Sequence, residues 1–397
     1  MDTNPPNLLY RIVLFAVSGI FLAAFLIILF MPREVVIVKG DPPLTGIVNA
    51  TGTVTETTGT IAAVPVNIPI PSEPKIASAS ATPMIIVPLT PIDTAAYDAK
   101  ILSLANIPPP KIVSSTATST AVIKPSLWPV KSAPYPNAGA LLPFNRIVAY
   151  YGNLYSKGMG VLGQYEPPLM LAKLASTTAE WQAADPSTNV IPALDYIAVV
   201  AQGSAGVDGK YRARMPASEV NKVLDLAAKI HGIVILDVQV GLSNVRTEIP
   251  FLAPYLKFPQ VHLALDPEFA VHGDERPGEV IGTMTASEVN YAAQYLDKIV
   301  KENDLPPKIL IVHRFTRAML TGSKNIEPLP NVQIIEDMDG FGNPPKKLDT
   351  YNGIVAVQPV QFTGFKLFYK NDVVAGHLMT PTEVLELSPQ PSFIQYQ

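Results

Sequence analysis

Val261-His262-Leu263-Ala264-Leu265-Asp266-Pro267-Glu268 is an apolar run that passes directly into two carboxylates spaced i, i+2. Alternate residues of an extended chain share a side, so Asp266 and Glu268 are expected to face one site together. Three other apolar runs, 233–237, 309–313 and 332–337, also end in an ionisable residue: Asp237, His313 and Asp337. Strands that each deliver a polar side chain at the carboxyl end are what a parallel barrel with its site on that face produces. The pattern predicts a fold and the end of it where chemistry would sit.

Working outward, the chain from about residue 143 onward divides into eight expected strands, 146–151, 196–202, 233–241, 261–268, 309–315, 332–337, 354–362 and 393–397. Helical stripes lie between several of them. One is Val220, Val223, Leu224 and Ala227 after Pro216; another is Val289, Ala292, Ala293, Leu296 and Val300. Pro near a first turn and the Thr285–Glu288 capping-box spacing mark their starts. Strands alternating with helices over this length fit a (β/α)8 barrel, ~250 residues in typical cases. A doubly wound open sheet is the alternative. Gly158-Met-Gly160-Val-Leu-Gly163 spells the G-x-G-x-x-G turn of such folds but does not join a strand end to an immediate helix start.

The rest of the chain differs in kind. Ile12 to Met31 is an uncharged apolar run of twenty residues, long enough as a helix to cross a bilayer core of ~30 Å. It is longer than the apolar core of a cleaved signal peptide, so an uncleaved anchor is expected within 1–40. Residues 41–140 hold 16 Pro, 13 Thr and 9 Ser but only ten charged side chains. Such a composition buries too little apolar surface to offset ordering entropy, and a Pro/Thr/Ser-rich disordered stalk is expected there. Within it, 95–106 has helical character and is a candidate to dock on the folded domain, which is placed at 141–397. A stalk after an anchor usually stands a domain off a cell surface, which puts the C-terminal domain on the extracytoplasmic side of the cell membrane.

The chain has no cysteine, which removes disulfides, thiolate metal sites and cysteine nucleophiles together. A net charge of −4 argues against a nucleic-acid partner. In the barrel reading the mouth collects Tyr150 and Tyr151, Gln202, Asp237 and Gln239, Asp266 and Glu268, His313 and Arg314, Asp337 and Asp339, Gln358 and Gln361, and Tyr396. Carboxylates, amides and aromatic rings are the usual inventory of a carbohydrate site, and glycosidic cleavage needs one protonated and one ionised carboxyl. Glu268 is the candidate acid, with Asp266, Asp337 or Asp237 as its partner. Tyr151, Gln202, His313, Asp339, Gln361 and Tyr396 are the candidate substrate-binding residues. Asp237, Asp266, His313 and Asp337 would suit a hard metal ion, yet no H-x-H or H-E-x-x-H spacing occurs, and neither metal nor cofactor is expected. Each acid also has a structural reading, as a backbone-capping or turn residue.

Asp266-Pro-Glu268 resembles the D-x-E ending of the fourth strand in glycoside hydrolases of the chitinase and lysozyme-like muramidase type. The longer glycine- and aspartate-rich signature of chitinases is absent, so the resemblance does not extend to their substrate-assisted mechanism. More broadly, Leu265-Asp-Pro-Glu-Phe269, Ile311-Val-His-Arg-Phe315 and Phe393-Ile-Gln-Tyr-Gln397 resemble a family of secreted or membrane-tethered bacterial TIM-barrel proteins. The resemblance implies fold and location, not a reaction. The expected ligand is polysaccharide or peptidoglycan, and the expected roles are a glycoside hydrolase or a non-catalytic barrel that binds glycan or protein at the cell surface.

If residues 12–31 span the bilayer uncleaved, the protein keeps its N-terminus and resists alkaline and high-salt extraction from membranes. Added protease should then cut the stalk on intact cells. A shortened soluble chain would count against the anchor, and a protected stalk against the orientation.

Overall fold

The computed structural model describes residues 91–107, 128–130 and 132–397. The expected bilayer helix and most of the expected stalk lie outside the described residues. Among the described residues no helix is long and apolar enough to cross a membrane.

The described residues form eleven strands: β1 (Asn145–Gly152), β2 (Asn189–Ala201), β3 (Arg212–Arg214), β4 (Ile233–Val238), β5 (Val261–Leu265), β6 (Met284–Thr285), β7 (Lys308–Arg314), β8 (Leu320–Thr321), β9 (Val332–Met338), β10 (Phe362–Leu367) and β11 (Phe393–Tyr396). Eight of them close into one parallel barrel in the order β1-β2-β4-β5-β7-β9-β10-β11. β1 closes it. It pairs with β2 from Asn145↔Asn189 to Gly152↔Tyr196 and with β11 from Ile147↔Phe393 to Tyr150↔Tyr396. β3 adds antiparallel to the end of β2, and β6 with β8 forms a separate short pair.

Barrel strands are covered on both faces, so they read as continuous apolar runs rather than alternating ones. Ile233-Val-Ile-Leu236 and Ile309-Leu-Ile-Val312 are examples, and every residue in them is buried. The outer helices are α3 (Pro167–Ala184), α4 (Ala217–Ala228), α5 (Val245–Leu256) and α6 (Ala286–Glu302), following α1 (Thr94–Ala105) and the short α2 (Val161–Gln164); α7 (Pro344–Thr350) and α8 (Pro381–Leu385) follow α6. The two sequence stripes are the buried faces of α4 and α6, and the Thr285–Glu288 capping box is formed.

Two boundaries differ from the sequence reading. The seventh barrel strand is β10, not 354–362; Tyr351–Val355 is instead a π-helical turn following α7. Gly364 and Lys366 interrupt the apolar pattern of β10, because both point inward for reasons that lie on other strands. The second difference is at the amino end. Tyr97, Leu104 and Trp128 pack beneath the barrel with Leu142, Ile147, Ile235, Ile311 and Phe393. The Trp128 indole N–H donates to the Gln361 carbonyl at 2.8 Å, and the Asn106 amide donates to the carbonyls of Leu385 and Leu387. The docking expected of 95–106 therefore occurs, and the folded unit starts before residue 141. Stalk-like composition hid this, since closing the floor takes only a few apolar side chains.

Trp128 is almost fully buried, and truncating a buried Trp typically costs about 3–5 kcal/mol. Trp128→Ala is expected to lower barrel stability by that order in denaturant unfolding. A loss under about 1 kcal/mol would mean that the floor segment does not fold cooperatively with the barrel.

Candidate active site

Alternate side chains of each barrel strand enter the interior. Ile147 and Ala149 of β1, Ile233 and Ile235 of β4, and Ile309 and Ile311 of β7 fill the lower half as one apolar cluster. The next inward positions on those strands are Tyr151, Asp237 and His313. The change from apolar to polar is sharp.

His313 is the centre of the polar layer. Its Nε2 donates to Asp237 Oδ2 at 3.1 Å and its Nδ1 to Asp337 Oδ2 at 3.0 Å; Asp339 Oδ2 lies 3.7 Å from the same Nδ1. Asp237, His313 and Asp337 are fully buried. With a carboxylate on each side both ring nitrogens act as donors, which is the imidazolium form. Burial alone would depress this pKa. The hydrogen bonds to Asp237 and Asp337, with the charges of Asp237 and Asp339, overcome that and hold it well above the ordinary 6.5. Neither ring nitrogen has a lone pair left for a metal. Among the described residues no group of three or more His, Asp or Glu is arranged to hold a metal ion.

The surrounding acids are protonated more readily than usual. Burial raises Asp195 and Asp266 well above the carboxylate range, and the charge of Asp237 adds to it. Burial also raises Asp337, although His313 pulls the other way. Asp195 Oδ2 accepts from Gln395 Nε2 at 2.6 Å. Asp337 needs Gly364, its register partner on β10: a Cβ there would collide with Asp337 Oδ1.

Above this layer opens a cavity of about 610 Å3, within the usual size of a small-ligand site. Tyr151, Gln239, Asp266, Glu268, Asp339 and Lys366 line it, together with Phe269, Phe315, Phe341 and Phe368. Lys366 Nζ pairs with Asp339 Oδ1 at 2.9 Å and stands 3.9 Å from the Tyr151 ring centroid. Burial opposes the charge on Lys366, but Asp339, Asp266 and Asp337 outweigh it and raise its pKa. The Gln239 amide donates to the Tyr151 hydroxyl at 3.1 Å and to Asp266 Oδ2 at 3.3 Å; Asp266 Oδ1 accepts the Glu268 N–H at 3.2 Å. Glu268 is half-buried on the wall. Burial, and then the charge of Asp339, raise its pKa, with Lys366 and His313 opposing.

The sequence candidates therefore separate. Asp266, Glu268, Asp339 and Tyr151 face the cavity. Asp237, Asp337 and His313 lie beneath it, joined through one oxygen of each aspartate to the imidazole. Three expectations are corrected. Gln361 sits at the barrel floor, where its side-chain oxygen accepts the Ile334 N–H and its carbonyl binds Trp128; β10 starts after it, not before it. Tyr396 points outward, with its hydroxyl accepting from Trp181 Nε1 at 2.9 Å and its ring stacked on Tyr369. Gln202 lies in the turn after β2, and its amide donates back to the Ala201 carbonyl. Lys366 and Asp195 were missed. Each is a charged residue inside an apolar run, a signal that misplaced strand ends concealed.

The folded-state pKa of His313 is raised, so its contribution to stability is complete below about pH 6.5 and is lost as pH rises through the folded value. Removing one partner of a buried ion pair costs about 3–5 kcal/mol. The stability gap between the wild type and His313→Gln is expected to be of that order below pH 6.5 and to narrow at higher pH. Denaturant midpoints across pH check this; a gap that widens with pH would refute the imidazolium assignment.

The sequence matches no protein-family model and no curated protein. Among solved structures the chain is similar to a ruminal GH26 endo-beta-1,4-mannanase, with 11% identity and a TM-score of 0.30. The match covers 64% of this chain and 58% of the mannanase, so the chain spans less than two thirds of that enzyme's length. A likeness this distant bears on neither reaction nor substrate.

Proposed function

We propose that the barrel is a glycoside-hydrolase-like domain, held outside the cytoplasm by residues 12–31 and acting on cell-surface or cell-wall polysaccharide. One observation carries the reading: Glu268, with its proton held more tightly than usual, shares a cavity with Asp339, which is ion-paired to Lys366. Two carboxyls facing one cavity, one of them holding its proton more tightly than usual, are the working parts of glycosidic cleavage. Glu268 protonates the bridging oxygen as the anomeric C–O bond breaks. Asp339 supplies the negative charge that stabilises the positive sugar. It then accepts a proton from the attacking water or bonds the anomeric carbon, and the stereochemistry of the product distinguishes the two. Asp266 positions Glu268 by accepting its backbone N–H, and Tyr151 and the phenylalanines offer apolar faces to sugar rings. Asp237, His313 and Asp337 support the floor without touching substrate.

A second reading is a non-catalytic barrel that binds glycan or protein. It is favoured by the engagement of Asp237 and Asp337 with His313 and of both Asp266 oxygens with Gln239 and Glu268.

General-acid catalysis is worth roughly 10²–10⁴ in rate, so Glu268→Gln is expected to lower polysaccharide cleavage by that factor with little change in melting temperature. An aryl glycoside with a good leaving group needs less protonation and should lose less. In the wild type, turnover should decline as pH rises through the raised Glu268 value. Wild-type protein that binds glycan and never cleaves it would leave only the second reading.

A further inference from the structure

Two further depressions adjoin the cavity above the polar layer. A second depression of about 140 Å3 shares Gly158, Phe368 and Asn371 with its wall. A third, of about 420 Å3, shares Val161, Gln164, Tyr369 and Lys370 with the second. The three adjoin one another in a row from the mouth, by the loop before α2 and the loop after β10, to the flank of α3.

The balance of charge shifts along this row. The mouth wall carries Asp266, Glu268 and Asp339 against Lys346 and Lys366. The second and third depressions are lined by Lys157, Lys370 and Lys173, with Glu180 the one acid among their lining residues. Lys157, Lys370 and Lys173 are all exposed, in a chain whose net charge is −4. The groove also presents fixed aromatic surface. Tyr369 stacks on Tyr396 at 5.1 Å and its hydroxyl lies 3.2 Å from that of Tyr150, while Lys173 Nζ stands 4.9 Å from the Tyr165 ring centroid. Rings immobilised before a ligand arrives lower the ordering cost of binding, and lysines along a path favour a repeated negative charge.

We infer that this groove binds the continuing chain of an acidic polysaccharide, with carboxylate-bearing sugars against Lys157, Lys370 and Lys173 while one end occupies the mouth. The inference rests on the polysaccharide reading of the mouth and adds the class of polymer and its direction of exit. A neutral glycan gains only the stacking. An acidic one gains the lysines as well, so affinity grows with both length and charge.

The test is a titration of the full chain in mild detergent with digalacturonate, hexagalacturonate and neutral cellohexaose. Hexagalacturonate is expected to bind at least ~10-fold tighter than either of the others, about 1.4 kcal/mol. Its advantage should shrink as salt approaches 1 M, where screening falls to ~3 Å. Lys157→Glu combined with Lys370→Glu should abolish the advantage. Lys298→Glu with Lys301→Glu, the same charge change on exposed positions of α6, should preserve it. Equal affinity for acidic and neutral hexamers, or equal losses in the two double variants, would overturn the groove. Polysaccharide cleavage measured in parallel separates the two ideas. Tight hexagalacturonate binding without cleavage refutes only the catalytic reading, and cleavage without length or charge dependence refutes only the groove.

Discussion

Two carboxylates, Asp237 and Asp337, share one imidazole at the centre of the barrel, and the upper half of the molecule is arranged around that contact. Neither acid could be buried there alone, since an unpaired charge in a closed interior costs several kcal/mol. His313 balances part of the charge, and burial makes Asp195 and Asp266 take up protons more readily than usual. The packing follows from this demand. β10 must offer a glycine opposite Asp337, and Lys366, two residues on, must reach Asp339. The polar layer thus dictates what the seventh barrel strand contains, and the cavity stands on the platform it makes.

The two ends of the barrel are closed differently. The floor has an apolar plug of α1, Trp128 and Leu142 against isoleucines, tied by Gln333 to the backbone of Leu142 and by buried Lys308 to the carbonyls of Phe258 and Val261. The rim is held by buried cations. Arg314 donates to the carbonyls of Thr316 and Arg317, to Gln358 and to Glu336. It fixes the loop that carries Phe315. Lys347 binds the Gly340 carbonyl and Asp372, and Asp372 accepts from the backbone of Gly342 and Phe368. That network ties together the two loops bearing Phe341 and Phe368. Loops at a barrel mouth have few apolar contacts of their own, so charged side chains reaching carbonyls from below are an effective way to make them rigid.

Fixed walls matter for either role of the site. A catalytic pair works only when its carboxyls are held in a set geometry, and a binding groove loses affinity for every side chain it must order. Glu336, pushed up to about 7 by burial despite Arg314, shows what such anchoring costs. The Arg314–Glu336 contact keeps a loop in place at the expense of an easily protonated acid in the wall of the sheet.

The succession of parallel strands, and the end of the barrel that carries polar groups, are legible in the chain segment by segment. Both follow from local rules: strands covered on two faces are apolar throughout, and a polar residue at such a strand's end must find a partner or solvent. So are α4 and α6, whose stripes and first turns are written within single segments. Which polar ends face the cavity emerges only once the strands have paired. Asp237 and Asp337 look no different in sequence from Asp266, yet they turn to a histidine on another strand while Asp266 and Glu268 reach the open wall. Gln361 and Lys366 changed places as site residues for the same reason. The start of β10 is set by Asp337 on a neighbouring strand, and Tyr396 faces outward because closure against β1 fixes its parity. Register and inward parity in a closed sheet are nonlocal quantities, fixed by pairing between strands far apart in the chain.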